Sequence, residues 1–223
     1  MTSNYNILIV DDHPMTVDGY QSLLTLNKVV DNPVFRKTFN CEEAFKMLHM
    51  LKKSNEDLNF AIVDYNLPPY EKEKIMDGSG VAKLIRQLFP NCKLAMLTMH
   101  KETLLINNVF KTINPECFIS KNDINFNTFP KIMKSVIEGD IYKSPTIVQV
   151  IQDYLKSNLS LDEFDIKIIM CLAEGKKTKD LPNYIDLSLS AIEKRKAFLK
   201  RELTGNKASD EALIQTAKNL KLI

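Results

Sequence analysis

Short apolar runs alternate with helically spaced apolar positions through the first 140 residues. The run Ile7-Leu8-Ile9-Val10 is rich in β-branched residues and uninterrupted by polar ones, the pattern of a strand buried on both faces. Ala61-Ile62-Val63, Leu94-Ala95-Met96-Leu97 and Cys117-Phe118-Ile119 repeat it, and a weaker run from Val34-Phe35 to Phe39 lies between the first two. Between these runs the apolar spacing becomes helical: Val17, Tyr20 and Leu24; Ala44, Leu48 and Leu51; Val81, Leu84, Ile85 and Leu88. The clearest amphipathic pattern is Phe129, Ile132, Met133, Val136 and Ile137, spaced i, i+3, i+4, i+7, i+8. Alternating βα units predict a parallel sheet with helices on both faces, here a doubly wound α/β domain of five strands.

The pattern changes after Gly139-Asp140. Tyr142 to Pro145 reads as a turn, a helical stretch follows near 146–156, and no convincing strand remains after Asn158. Four helices are predicted there: about 162–174 ending at Gly175, a short one near 178–185, about 189–203 ending before Gly205, and about 208–219. The expected organisation is an α/β domain over 1–139, a partly helical linker over 140–158, and a smaller all-α domain over 159–223.

Composition narrows the chemistry. A length of 223 residues suits two small domains, and the 44% apolar and 26% charged shares are near globular averages. No apolar run approaches the roughly 18 residues of a membrane span, and the start MTSNYNILIVDDHP has no basic region before its first aspartates. Cys41, Cys92, Cys117 and Cys171 form no C-x-x-C and no metal-ligand spacing with the three histidines, so a reduced, cytoplasmic protein is expected. With only six glycines there is no G-x-G-x-x-G and no P-loop, nor any G-x-S-x-G or H-E-x-x-H. Phosphate chemistry in this chain would have to use side chains and a metal ion.

Such side chains collect at one edge of the predicted sheet. In an open parallel sheet, ligands bind beyond the carboxyl ends of the strands, near the point where strand order reverses. The first strand ends in Asp11-Asp12, the third in Asp64, the fourth in Thr98, and Lys121 follows the fifth. Converging carboxylates raise one another's pKa unless a cation joins them, and an oxygen-rich site of this kind suits Mg²⁺. A hydroxyl and an ammonium opposite are what a phosphoryl group on a carboxylate would need for its oxygens. A lone strand-end Asp is more often a helix cap or a solvated turn residue; the set at one edge is what argues for a site.

Through ILIVDDHP, AIVDYNLP, LAMLT and CFISK, residues 5–138 resemble the receiver domain of two-component response regulators. The resemblance implies that Asp64 is the phospho-accepting aspartate and that a histidine kinase is the phosphodonor. Asp12, Asp64 and the backbone carbonyl of Asn66 would bind Mg²⁺, with Asp11 acting mostly through water. Thr98 and Lys121 would contact the phosphoryl oxygens, and Phe118 falls on the switch aromatic. Asn66 and His100 occupy positions that tune the phosphoryl lifetime in this family. The chain departs from the family after Asp64, where Leu67 to Asp77 make a loop about half a dozen residues longer than usual before Gly78. It is read either as a solvated insertion or as a segment that shields Asp64 or docks a kinase.

From Leu161 onward the chain resembles a LuxR-type helix-turn-helix DNA-binding domain. Leu161, Asp165, Ile168-Ile169, Ala173-Glu174-Gly175, Lys179-Asp180-Leu181, Leu187-Ser188, Ile192, Leu199 and Leu203 carry the match. The closing segment Ala217 to Ile223 resembles the helix that usually dimerises. Charge agrees with this division: residues 1–155 hold 17 basic and 18 acidic residues, and 156–223 hold 13 and 10. With Ile192 inward, Ser190, Lys194, Ala197 and Arg201 of the third helix face outward, at roughly 100° per residue. Lys194, Ala197, Lys200 and Arg201 are the candidate DNA contacts. Against the family pattern stand Ala191 and Glu193, where a Thr and a base are usual, Lys196 near the buried direction, and Pro182 inside the second helix. The expected function is a phosphorylation-controlled transcriptional regulator, not a classical enzyme, acting on DNA as a homodimer without a membrane partner. The alternative is a receiver whose helical tail docks a protein instead. An aspartyl-phosphate hydrolase, which carries its two carboxylates two residues apart on the first strand, fits the adjacent Asp11-Asp12 poorly.

Overall fold

A computed structural model describes residues 4–158, 161–204 and 208–223. In chain order the elements are β1 (Tyr5–Val10), α1 (Pro14–Leu26), β2 (Pro33–Thr38), α2 (Cys41–Lys53), β3 (Phe60–Asp64) and α3 (Gly78–Leu88). Then come β4 (Lys93–Thr98), α4 (Thr103–Thr112), β5 (Cys117–Ser120), α5 (Phe129–Glu138) and β6 (Tyr142–Lys143). The helical part follows as α6 (Pro145–Asn158), α7 (Glu163–Ala173), α8 (Leu189–Leu203) and α9 (Asp210–Asn219). Short 3₁₀ turns cover Glu71–Glu73, Lys121–Asp123 and Thr178–Asn183.

The sheet is wholly parallel, in the order β2-β1-β3-β4-β5-β6. Its central strands are apolar because both faces are covered: Ile7 to Val10, Phe60 to Val63 and Leu94 to Leu97 have essentially no exposure. Val17 and Leu24 of α1 pack with Phe129, Met133 and Val136 of α5 against Ile7, Ile9, Phe60 and Ile62. β2 is an edge strand and only half-buried, which is why its apolar run is weak in the sequence.

Six strands stand where five were expected. Tyr142-Lys143, read as a turn, pairs with Cys117-Phe118 as β6. The Tyr142 amide donates to Glu116 O at 2.8 Å, and the Ser144 amide to Phe118 O at 3.0 Å. Two residues are too few to show a period of two, so the sequence carries no signal for this strand. The stretch 140–158 expected as linker is thus mostly regular structure, β6 and then α6.

Contacts divide the chain into two units, Met1–Lys101 with Ile113–Ile147, and Glu102–Thr112 with Val148–Ile223. In the second unit α7 opens on a capping box: the Asp162 carboxylate accepts from the Phe164 and Asp165 amides, and Asp165 accepts from the Asp162 amide. Gly175 ends the helix at φ 81°, a left-handed geometry that favours glycine. Pro182 sits in the 3₁₀ turn Thr178–Asn183 and not in an α-helix, so it interrupts no regular ladder. Ser188 caps α8 by accepting from the Ala191 amide. Gly205, expected to end that helix, lies outside the described residues.

Candidate functional site

The order β2-β1-β3 places the reversal of strand order between β1 and β3. Val10 is in register with Val63, so the residues that follow on each strand, Asp11 and Asp64, emerge side by side at the carboxyl edge. Asp64 is opposite Leu97, Thr98 follows on β4, and Thr98 is opposite Ser120, the residue before Lys121. Register alone therefore brings together four of the five polar positions.

The side chains complete the site. Lys121 Nζ bridges the two buried carboxylates, 2.8 Å from Asp11 Oδ2 and 3.0 Å from Asp64 Oδ1. Asp11 is 1% and Asp64 5% exposed, which is rare for charged groups without a partner. Burial pushes the Asp64 carboxyl above its ordinary range; Lys121 opposes the shift and the charges of Asp11 and Asp12 add to it. Burial pulls Lys121 down, but its bonds to Asp11 and its attraction to Asp64 outweigh this and hold it above the ordinary lysine value. Asp11, Asp12 and His13 bring one ligand-type atom each within 4.8 Å of one another. His13 Nδ1 lies 2.7 Å from Asp12 Oδ1, yet that buried oxygen has no well-directed donor. His13 was not singled out from the sequence, although its place directly after the acidic pair is the only signal needed to find it.

Near Asp64, His100 Nε2 is 2.7 Å from Asn66 Oδ1, and its ring meets Tyr65 edge-on at 5.8 Å. The Thr98 hydroxyl oxygen accepts from the His100 amide at 2.9 Å. Asn66 and His100 thus share one hydrogen-bonded patch beside Asp64. Phe118 is fully buried on β5.

The long loop after Asp64 is a folded structure. Tyr70 and Ile75 form an antiparallel bridge with both amide-carbonyl bonds made, 2.7 and 3.1 Å. The Tyr70 ring lies 5.6 Å from Phe45, Pro68 O accepts from the Cys41 amide, and Leu67 and Ile75 are buried. The loop delivers Gly78 against the end of β3: its amide donates to Tyr65 O at 2.8 Å, and a Cβ there would lie 1.9 Å from Asp64 O. Asp77 caps α3 by accepting from the Ser79 and Gly80 amides.

In the helical unit, α8 turns Ile192, Leu199 and Leu203 inward, while Glu193, Lys194, Ala197 and Arg201 are exposed. Of the candidate DNA contacts, Lys200 is the exception. Its Nζ is 2.6 Å from Asp210 Oδ1, and Lys196 reaches the same carboxylate at 3.1 Å and Thr178 Oγ1 at 2.7 Å. Lys196 therefore ends on Asp210 and not in water. Arg195 is also held inside the unit, by Asp162 at 2.9 Å and Asp165 at 2.8 Å. Asp162, Asp165 and Asp210, which neutralise the helix from other elements, were not assigned to it from the sequence because they are distant along the chain.

Residues 7–126 match the response regulator receiver domain family, and the chain belongs to it. Among curated relatives, the oxygen regulatory protein NreC of Staphylococcus carnosus is 22% identical over 97% of this chain and 98% of its own. The transcriptional regulatory protein RcsB of Escherichia coli K12 is 22% identical over 89% of this chain and 88% of its own. Among solved structures, an RcsB–DNA complex superposes with a TM-score of 0.54 at 20% identity, covering 97% of this chain and 99% of that one. RcsB of Salmonella Typhimurium bound to a promoter with the phosphomimetic BeF3⁻ gives 0.56 at 19%, covering 98% and 100%. These likenesses establish the two-part fold, α/β followed by helical. Among the described residues no helix is long and apolar enough to cross a membrane.

Proposed function

We propose that the chain is a cytoplasmic two-component response regulator, phosphorylated on Asp64, that binds DNA and regulates transcription. The observation that carries this reading is the buried Asp64 carboxylate, bridged through Lys121 to Asp11 at the sheet edge. The Asp64 carboxylate attacks the phosphorus of a phosphohistidine or of a small acyl phosphate, the bond to the donor breaks, and an acyl phosphate forms on Asp64. Lys121, held protonated by its carboxylate partners, offers its ammonium to one phosphoryl oxygen. The Thr98 hydroxyl, which already accepts from the His100 amide, has its own proton to donate to another.

The donor set suits a hard cation: three carboxylates, one buried oxygen without a well-directed donor, and an acceptor whose ionised form is disfavoured. Asp12, Asp64 and the carbonyl of Asn66 would hold Mg²⁺, with Asp11 acting through water. Bound there, the ion supplies positive charge for the phosphoryl oxygens. Similarity to RcsB, solved in complex with DNA and as dimers on DNA, supports DNA as the target of the helical unit and a paired form on it, with the closing segment Ala217 to Ile223 as the proposed pairing element. Lys194, Ala197 and Arg201 are the outward contacts, and Lys200 a contact only if it leaves Asp210.

A second reading has its own observation. Arg195, Lys196 and Lys200 are neutralised within the unit, which leaves a sparsely charged helix face that a protein partner would also suit. Intact-mass measurement after incubation with acetyl phosphate and Mg²⁺ tests the acceptor: one added phosphoryl group is expected, and none in Asp64→Asn. Unchanged labelling of Asp64→Asn overturns the assignment. Absence of any shift of sheared genomic DNA at low salt, with or without phosphodonor, overturns the DNA reading in favour of the second.

A further inference from the structure

Five bases crowd residues 194–201, yet most do not face outward as free charge. Arg195 is clamped by Asp162 and Asp165, and Lys196 and Lys200 share Asp210. Arg201 is exposed, but its Nε donates to Glu202 at 3.0 Å and its guanidinium lies over Phe198. Within α8 this leaves Lys194 as the exposed base without a carboxylate partner among the described residues. Beside it, Glu193 is exposed, and among the described residues nothing donates to its carboxylate. On the helix Glu193 lies about 40° from Ala197 and about 100° from the buried Ile192 direction, on the flank of the outward strip and not behind it.

An unpaired carboxylate there is costly against phosphates. Every anionic group near the duplex reduces the counterion-release gain, so a Glu on this face weakens binding to any sequence. One base edge repays it: the cytosine exocyclic amine is the donor that Asp and Glu recognise in the major groove. Ala197 adjoining it offers only a methyl contact, the chemistry that suits thymine.

Resting on the DNA reading above, we infer that Glu193 is a specificity-determining residue that selects a cytosine at one fixed position in each half-site. It acts by accepting from the cytosine amine while Lys194 makes the neighbouring cationic contact. The helix thus gives up general affinity and gains discrimination at that base pair.

The test uses the full chain, treated with acetyl phosphate and Mg²⁺, to select from a library of randomised duplex DNA. Wild type is expected to enrich sites carrying one invariant cytosine per half-site. Replacing that cytosine should weaken wild-type binding about tenfold. Glu193→Ala should bind all bases there within about twofold, and Glu193→Gln should shift preference toward adenine. Retained binding to the remainder of the site by both variants serves as the folding control. If Glu193→Ala enriches the same sites with the same cytosine, the base assignment is overturned while DNA binding stands. If wild type enriches no sequence and shifts no DNA, both readings fall.

Discussion

Asp64 is a carboxylate held where its charge is disfavoured, and that has a consequence for stability. Burial raises its pKa in the folded chain, so the ionised form is penalised by folding above that pKa and the penalty vanishes below the unfolded value of 3.8. Asp64→Asn is therefore expected to raise Tm at pH 7–8, with the gain shrinking as pH falls toward 4; a gain that grows on acidification would contradict the assignment. Lys121 works in the opposite sense. Its raised pKa means its ion pairs contribute fully from neutral pH up to about 10.5, the ordinary lysine value, and fade above it. Lys121→Met, which leaves Asp11 and Asp64 as buried like charges without their cation, should lower Tm at neutral pH and sharply reduce phosphoryl incorporation. Thermal melts with intact-mass labelling measure both effects.

At the scale of elements, two structures built from sequence-distant parts decide where the chemistry sits. The first is the loop that brings Gly78 onto the end of β3, beside Asp64. Gly78→Ala places a methyl group 1.9 Å from Asp64 O, so either α3 or the end of β3 must shift. A loss of about 1–3 kcal/mol in urea unfolding and weakened labelling are expected; an unperturbed variant would show that the loop does not position Asp64. The second is the clamp of Asp162 and Asp165 on Arg195, which joins α7 to α8. Arg195→Ala should cost about 1–2 kcal/mol in folding, whereas Lys194→Ala should leave stability unchanged and reduce the slope of log affinity against log salt by about 1. The sequence reveals the gathering of Asp11, Asp12, Asp64, Thr98 and Lys121 at one sheet edge, and the inward face of α8, because each lies at a strand end or on a helical period. It does not reveal β6, which is too short to have a period, or the partners of Lys196 and Lys200, because Asp210 lies on another helix. Ion pairing across elements is a property of packing, and a helical wheel cannot register it.

For the whole molecule, a net charge of +2 conceals an acidic excess of one over residues 1–155 and a basic excess of three over the remainder. Ion pairing within the helical unit reduces the outward charge further, so a single copy should bind DNA weakly and with shallow salt dependence. On the proposed reading, affinity at physiological salt would come from two copies on one site, and phosphorylation would act by releasing the helical unit or by strengthening pairing, because a state change shifts binding only through differential affinity. Phosphorylation of Asp64 is proposed to control DNA binding, and one titration tests this directly. The full chain and its Asp64→Asn variant are titrated onto a selected DNA site with and without acetyl phosphate and Mg²⁺, with intact mass recorded on the same samples. A gain in affinity of tenfold or more that appears only in the wild type, and only where the added phosphoryl mass is present, is the predicted result. An equal change in Asp64→Asn, or phosphorylated wild type with unaltered affinity, would contradict the account.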